Sequence, residues 1–143
     1  MAERLTRDFG RGHWSNAPSE RGVLFGLRRS TVYVARRRGR IIATLALSTR
    51  KPWAIDKKYF SPATRPLYLT SMAVEPKLQR QGIGRLCMVE AARAARTWPA
   101  HAIRLDAYDA PAGAGAFYAR CGYTEVGRVS YKGTPLIYYE LLL

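Results

Sequence analysis

Apolar side chains fall into two rhythms along this chain. Short runs rich in Val, Ile, Leu and Tyr, alternating or unbroken, occupy 31–35, 41–47, 67–74, 102–108, 125–131 and 136–142, and each predicts a β-strand. Arg37-Arg38-Gly39-Arg40 separates the first two runs and Lys132-Gly133-Thr134-Pro135 the last two, so each pair predicts a hairpin. From Arg85 to Trp98 the spacing becomes helical. Cys87, Met88, Ala91, Ala94, Ala95 and Trp98 share one face, Glu90, Arg93 and Arg96 another, and Pro99 ends the pattern. A shorter helix is predicted from Pro18-Ser19-Glu20 to about Arg29, with Val23, Leu24 and Leu27 on one side; Gly22 and Gly26 weaken it. Another spans about Ala112 to Arg120 and stops at Gly122. Strands before, between and after the helices predict an α/β domain built on a mixed sheet.

No repeat or linker divides the 143 residues, so a single domain, 1–143, is expected. Residues 1–18 are polar and carry Gly10, Gly12 and Pro18, and their start is expected to lack stable order. Lys51 to Pro66 is a long connection holding Trp53, Tyr59 and Phe60, and such loops in compact domains often carry function. The longest apolar run, Ile41 to Leu47, is too short to cross a bilayer, and Met1 to Leu5 does not open a signal peptide. No membrane partner is expected. Cys87 and Cys121 lack metal-like neighbours, which predicts no metal site and two free packing thiols in a reducing cytoplasm.

Charge adds a second signal. Twenty-four Lys and Arg against ten Asp and Glu give +14, and residues 1–40 hold ten Arg with three acids. Such an excess favours anionic partners, nucleic acid among them, although a solvated basic surface is the plainer explanation.

The most specific stretch is Gln79-Arg80-Gln81-Gly82-Ile83-Gly84, where a strand hands over to a helix. Glycines there let a ligand approach the backbone, and the helix start offers unpaired N–H groups to phosphate. A plain glycine turn capping a surface helix fits the same residues. A dinucleotide fingerprint does not, because position 87 is Cys, and a Walker loop does not, because no Gly-Lys-Ser/Thr follows. With Met72-Ala73-Val74-Glu75-Pro76 ahead of it, the segment resembles the acyl-CoA loop of the GNAT N-acetyltransferase superfamily. Ala114 to Tyr123, with its Phe117-Tyr118 pair and Gly122-Tyr123, resembles the same superfamily's last helix. The resemblance covers about Thr31 to Leu143.

That resemblance implies a mostly antiparallel sheet with splayed central strands flanked by helices, here with a shortened N-terminal part, and a transfer of acetyl from acetyl-CoA to a primary amine. It places the pantetheine arm against the backbone of Met72, Ala73 and Val74. The pyrophosphate would rest on the N–H groups of Arg80, Gln81, Gly82, Ile83, Gly84 and Arg85, with the side chains of Gln79, Arg80 and Arg85 outside. Tyr118 becomes the general acid that protonates the departing thiolate. The acceptor would be a small molecule or a protein amine, and a homodimer is one assembly open to the chain. The chain departs from the family in three ways. An extra strand normally precedes the first hairpin; either it is missing here or residues 1–10 supply a short edge strand. Pro111 stands where an Asn commonly contacts the pantetheine, leaving Asp109 to compensate or to cap the helix near Ala112. Tyr68 stands about where histone-type members carry a glutamate base, so no base is assigned among Glu75, Asp56, Asp106 and Asp109. His13 and His101 show no recognisable partner. A nucleic-acid-binding module without catalysis, or an enzyme acting on an RNA-borne amine, are the competing readings.

Overall fold

The computed structural model describes residues 2–11, 15 and 19–143. His13 and Pro18 lie outside them. Six strands, β1 (Thr31–Arg37), β2 (Arg40–Ser48), β3 (Pro66–Val74), β4 (Ala102–Tyr108), β5 (Thr124–Tyr131) and β6 (Thr134–Leu142), form one sheet in the order β1-β2-β3-β4-β6-β5. All neighbours are antiparallel except β3 and β4. This is the mixed, mostly antiparallel sheet the sequence predicts.

Both hairpins close on two residues of positive φ, Arg38-Gly39 at 50° and 78° and Lys132-Gly133 at 51° and 80°. Two left-handed residues in succession give the primed turn whose twist matches the flanking strands. The second turn is therefore shorter than predicted, and Thr134 and Pro135 already belong to β6.

Helices are α1 (Ala2–Phe9), α2 (Glu20–Leu27), α3 (Ile83–Thr97) and α4 (Gly115–Arg120). Residues 2–9 are thus helical, which corrects the alternative of an edge strand there. Among the described residues no strand precedes the first hairpin. Ser19 caps α2 by accepting from the Gly22 N–H at 3.1 Å. Val23, Leu24 and Leu27 are nevertheless about half exposed, and α2 buries none of its side chains.

α3 lies across one face of the sheet and buries Cys87, Met88, Ala91, Ala92 and Ala95. Its three buried alanines let the helix axis come close to Leu45, Leu69, Ile103 and Leu105. Ala92 takes a place expected for Trp98, which sits at the helix end and is half exposed. A second, smaller cluster covers the opposite face, where Ile55 and Phe60 of the 49–65 loop pack on Tyr68 and Tyr138. That loop is fastened by charge as well. Arg104 of β4 and Glu140 of β6 stand opposite each other, 3% and 5% exposed, with Nε to Oε1 at 2.9 Å. The Arg104 guanidinium also donates to the Ser61 carbonyl and lies over the Phe60 ring, and Glu140 accepts from the Ser61 N–H. His101 has partners after all. It takes Arg65 at Nε2 (3.1 Å) and Thr64 at Nδ1 (2.8 Å), which fastens the loop's far end.

Candidate functional site

β3 and β4 are hydrogen-bonded only at Pro66↔Ala102, Leu67↔Ile103 and Tyr68↔Arg104. Beyond that level each strand keeps its outer neighbour, β2 and β6 respectively, and the two part. A bulge marks the parting on β3. Thr44 pairs with Ala73 but Ala46 with Thr70, so Leu45 faces two residues, and Ser71 takes a left-handed φ of 53°. Past Tyr68, the edge of β3 that faces β4 has no ladder partner among the described residues, so its polar backbone groups look into a wedge-shaped gap. Met72, Ala73 and Val74 line this stretch.

The turn that follows is tightly specified. The Glu75 N–H donates to the Ile42 carbonyl at 2.8 Å, and Pro76–Leu78 makes one 3₁₀ turn. Arg80 and Gly82 both adopt positive φ, 61° and 81°, and Gly82 is the N-cap of α3 without a side-chain cap. The N–H groups of Ile83, Gly84 and Arg85 therefore open the helix without an acceptor from the cap residue. No atom lies within 4 Å of where a Gly82 Cβ would stand. The side chains of Arg80, Gln81 and Arg85 are exposed. Gln79 differs from the outer contact expected of it. Its side chain braces the turn, donating to the Val74 carbonyl at 3.2 Å and accepting from Arg4 at 2.7 Å. Arg4 thus brings α1 against this loop, a contact no local pattern could have signalled across 75 residues.

The two sequence motifs meet in space. A Cβ on Gly84 would stand 3.1 Å from the Phe117 ring and 3.8 Å from Met72 Cε, so the helix start, β3 and α4 converge there. Tyr118, next to Phe117, is 7% exposed and packs among Phe117, Tyr123 and Tyr139, with ring centroids 5.3–6.1 Å apart. Burial, with smaller contributions from the Asp106 and Cys121 charges, pushes its phenol up to about 12. α4 begins at Gly115 rather than near Ala112. The Gly113 N–H closes a turn on the Ala110 carbonyl at 2.7 Å, and a Cβ on Gly113 would lie 2.0 Å from the Tyr108 carbonyl oxygen. Asp109 does not cap this helix. Both its oxygens bind Arg128, at 3.1 and 2.9 Å, and Glu125 shares the same guanidinium.

On the opposite face, Trp53, Asp56, Tyr59, Tyr131 and Tyr138 contribute to a cavity of about 470 Å³ between the 49–65 loop and the β5–β6 hairpin. The Tyr138 hydroxyl donates to the Ala54 carbonyl and accepts from the Asp56 N–H, which fixes the loop's tip. Asp56 itself is paired with Lys58 at 3.2 Å. Cys87 and Cys121 are free thiols. Burial raises both, and at Cys121 it outweighs the opposing pull of Arg85 and Arg120, so proximity to arginine does not activate that thiol. Among the described residues no group of three or more His, Cys, Asp or Glu could hold a metal ion, and no helix is long and apolar enough to cross a membrane.

Several solved structures share this architecture. A Bacillus subtilis acetyltransferase in complex with CoA superposes with a TM-score of 0.69 at 18% identity, covering 88% of this chain and 85% of that one. A GNAT family acetyltransferase from Elizabethkingia anophelis with acetyl-CoA bound gives 0.66 at 18% identity, covering 88% and 84%. A protein from Bacillus anthracis described as a streptothricin acetyltransferase, in complex with acetyl coenzyme A, gives 0.64 at 22% identity and 80% coverage of this chain. This chain spans 63% of the length of that last protein. No curated protein matches the sequence. The family model described as Acetyltransferase (GNAT) family matches residues 1–123, most of the chain, and this chain belongs to that family.

Proposed function

We propose that this protein is an acetyl-CoA-dependent N-acetyltransferase that passes the acetyl group directly to a primary amine. The observation that carries the reading is the contact of Gly84 with Phe117 beside the β3–β4 gap. It brings an uncapped, glycine-lined helix start beside Phe117, whose chain neighbour Tyr118 is buried, which supports the reading. In this reading the pyrophosphate lies on the N–H groups of 80–85, where the helix dipole favours it. The pantetheine arm enters the gap, and backbone donors of Met72 to Val74 polarise the thioester carbonyl.

Tyr118 then protonates the sulfur. Its raised pKa keeps the phenol protonated at neutral pH. A solvated thiol titrates near 8.5, so donation to a thiolate in open water would run uphill. The desolvation that raises Tyr118 acts equally on a sulfur leaving inside the same pocket, which raises its proton affinity too. The acid therefore works only while the coenzyme is sequestered.

The acceptor class is a small amine, an amino acid, an antibiotic or a protein N-terminus, bordered by the aromatic loop at Trp53 and Tyr59. The charge of +14 opposes free cationic acceptors unless carboxylates offset it locally. Two free cysteines fit a reducing, cytoplasmic setting.

Calorimetry with acetyl-CoA, followed by a Tyr118→Phe variant, tests the assignment. Coenzyme affinity should be unchanged, while kcat and kcat/KM fall together by about 10²-fold, the scale of a positioned acid. Near-normal turnover in the variant would move the acid role elsewhere.

A second reading, association with nucleic acid or with an RNA-borne acceptor, is favoured by the β1 edge. Arg28, Arg29, Arg37, Arg38 and Arg40 flank it, and none has a carboxylate within 4.0 Å among the described residues. A steep fall of RNA affinity with salt would support it; acetyl-CoA binding should depend on salt far less.

A further inference from the structure

Trp53 is 90% exposed, more than any other large apolar side chain among the described residues. Yet the turn that carries it is firmly held. The Ile55 N–H donates to the Pro52 carbonyl at 3.2 Å, and the Lys51 ammonium donates to the carbonyls of Pro52 and Ile55 at 3.0 and 2.6 Å. Tyr138 ties down Ala54 and Asp56 as well. Tyr59, which lines the same cavity as Trp53, is fixed by packing. A Cβ on Gly127 would collide with its ring, and it meets Tyr138 edge-on with centroids 5.5 Å apart. An indole kept in water on a fixed turn needs little further ordering when a flat ligand arrives.

The cavity lies on the face opposite α3, because Tyr138 belongs to the cluster that Ile55, Phe60 and Tyr68 form there. Strand register sets its level. Tyr138 stands opposite Asp106, and Val129 of the β5 wall stands opposite Leu136 and, through it, Tyr108. Both levels lie past Tyr68↔Arg104, the last pair before β3 and β4 part. β6 and β5 follow β4 at about 5 and 10 Å. A ring seated against Tyr138 is therefore within reach of an amine in the gap through a short aliphatic link. The volume of about 470 Å³ suits a small molecule.

Charge narrows the class. Among the lining residues Asp56 and Lys58 pair at 3.2 Å, and the lining has no second acid. Lys51 stands beside the cavity on the Ile55 carbonyl, and Lys132 lies 5.6 Å over the Tyr131 ring. The local excess is positive and favours a carboxylate on the ligand. A zwitterion without net charge also meets no opposition from the chain's +14.

We propose that this cavity seats the ring of the acceptor, and that the acceptor is a free aromatic α-amino acid. The inference rests on the acetyl-transfer reading above and names that site's substrate class. The ring lies against Trp53, Tyr59 and Tyr138, the carboxylate stays on the lysine side, and the α-nitrogen points into the gap. There the ammonium loses one proton to solvent, the nitrogen bonds to the acetyl carbon, and the carbon–sulfur bond breaks. The sulfur takes the Tyr118 proton, and the second proton shed by nitrogen restores the phenol. N-acetylamino acid, CoA thiol and one released proton balance the step.

The test uses the whole protein. Calorimetry with acetyl-CoA comes first, and absence of binding overturns the acetyl-transfer reading and this proposal with it. At saturating acetyl-CoA, kcat/KM is then compared for L-phenylalanine, L-tryptophan, L-leucine, L-alanine and phenethylamine. At least one aromatic amino acid should exceed the other three acceptors by about tenfold or more, the scale of one or two ring contacts. Trp53→Ala should cut the aromatic-over-leucine ratio about tenfold, mainly through KM, with acetyl-CoA affinity within twofold as the control for folding. Trp53→Phe, which keeps a ring, should retain most of the ratio. In wild type 3-phenylpropionate, which has the ring and the carboxylate but no amine, should compete with the acceptor. Coenzyme binding without acetylation of an aromatic amino acid overturns the proposal and leaves acetyl transfer to another acceptor standing. So does leucine or phenethylamine matching the aromatic amino acids, an unchanged ratio in Trp53→Ala, or no competition by 3-phenylpropionate.

Discussion

Arg104→Met is the substitution whose cost the structure fixes best. Met reproduces the aliphatic stem of Arg104 but removes the guanidinium that serves Glu140 and Ser61 and lies over the Phe60 ring. Glu140 then remains a buried, uncompensated carboxylate at 5% exposure. Breaking one partner of such a pair costs about 3–5 kcal/mol. For 143 residues, unfolding entropy per residue converts each kcal/mol to roughly 3 °C, so Tm should fall by about 10–15 °C. Removing both charges, Arg104→Met with Glu140→Leu, replaces the pair by apolar groups and should recover most of the loss, because the pair itself gains little net over well-packed hydrophobes. Urea unfolding of the four proteins gives the coupling, expected at about 4 kcal/mol or more because each single variant strands one buried charge and the double variant strands none. In the single variant the 49–65 loop also loses its anchor at Ser61, so KM for the amine should rise with coenzyme affinity unchanged. Additive effects of the two substitutions, or a loss under about 1 kcal/mol, would refute the view that this pair is a desolvated latch.

Two further outcomes concern the same region. Gly113→Ala drives a Cβ to 2.0 Å from the Tyr108 carbonyl oxygen, a backbone atom that cannot step aside, and should cost about 2–3 kcal/mol and displace α4, read as a lower urea midpoint and slower turnover. Stability should also decline as pH rises from about 10 to about 12. Tyr118 titrates near 10 in the unfolded chain and about 12 in the folded one, so the unfolded state sheds its proton first. The Tyr118 contribution is complete below pH 10 and is lost across that window, on the order of 3 kcal/mol, and buried Tyr123 shifts in the same direction. A midpoint that stays flat to pH 12 would contradict it.

What could be read from the sequence was local. Arg38-Gly39 and Lys132-Gly133 announce their hairpins because left-handed turns need such residues, and the Ala-rich period of 83–97 announces a helix laid close on a sheet. The Gly82 and Gly84 turn and the Phe117-Tyr118 pair were visible for the same reason, as short segments with a physical demand on residue type. Errors arose where local preference met a competing contact. Alanines at 112, 114 and 116 suggested an earlier helix start, but the Gly113 turn against Tyr108 delays it to Gly115. Asp109 suited a cap by position, yet Arg128 on β5 claims it. The Arg4–Gln79 contact and the Arg104–Glu140 pair join residues 75 and 36 apart, and only the folded chain brings them together.

The position of the buried ion pair links stability to the slot. Tyr68↔Arg104 is the last level at which β3 and β4 are bonded, so Arg104 stands at the apex of the wedge. Beyond it, the splayed strand edges forgo ladder hydrogen bonds that an ordinary sheet would make, and those groups must be met by water or a ligand instead. A sheet with such edges would close, by zipping β3 onto β4, unless its geometry were held from outside. Three features hold it open: the Ser71 bulge, which shifts the register of β3 on β2; the full pairing of β4 with β6; and the Arg104–Glu140–Ser61 network, which ties β4, β6 and the loop together at the apex. The last of these spends two buried charges on geometry where two leucines would serve stability as well. An apolar replacement of the pair should therefore leave the fold intact and loosen the site, so that loss of turnover without loss of Tm in the double variant is the signature of a wedge kept open for a ligand.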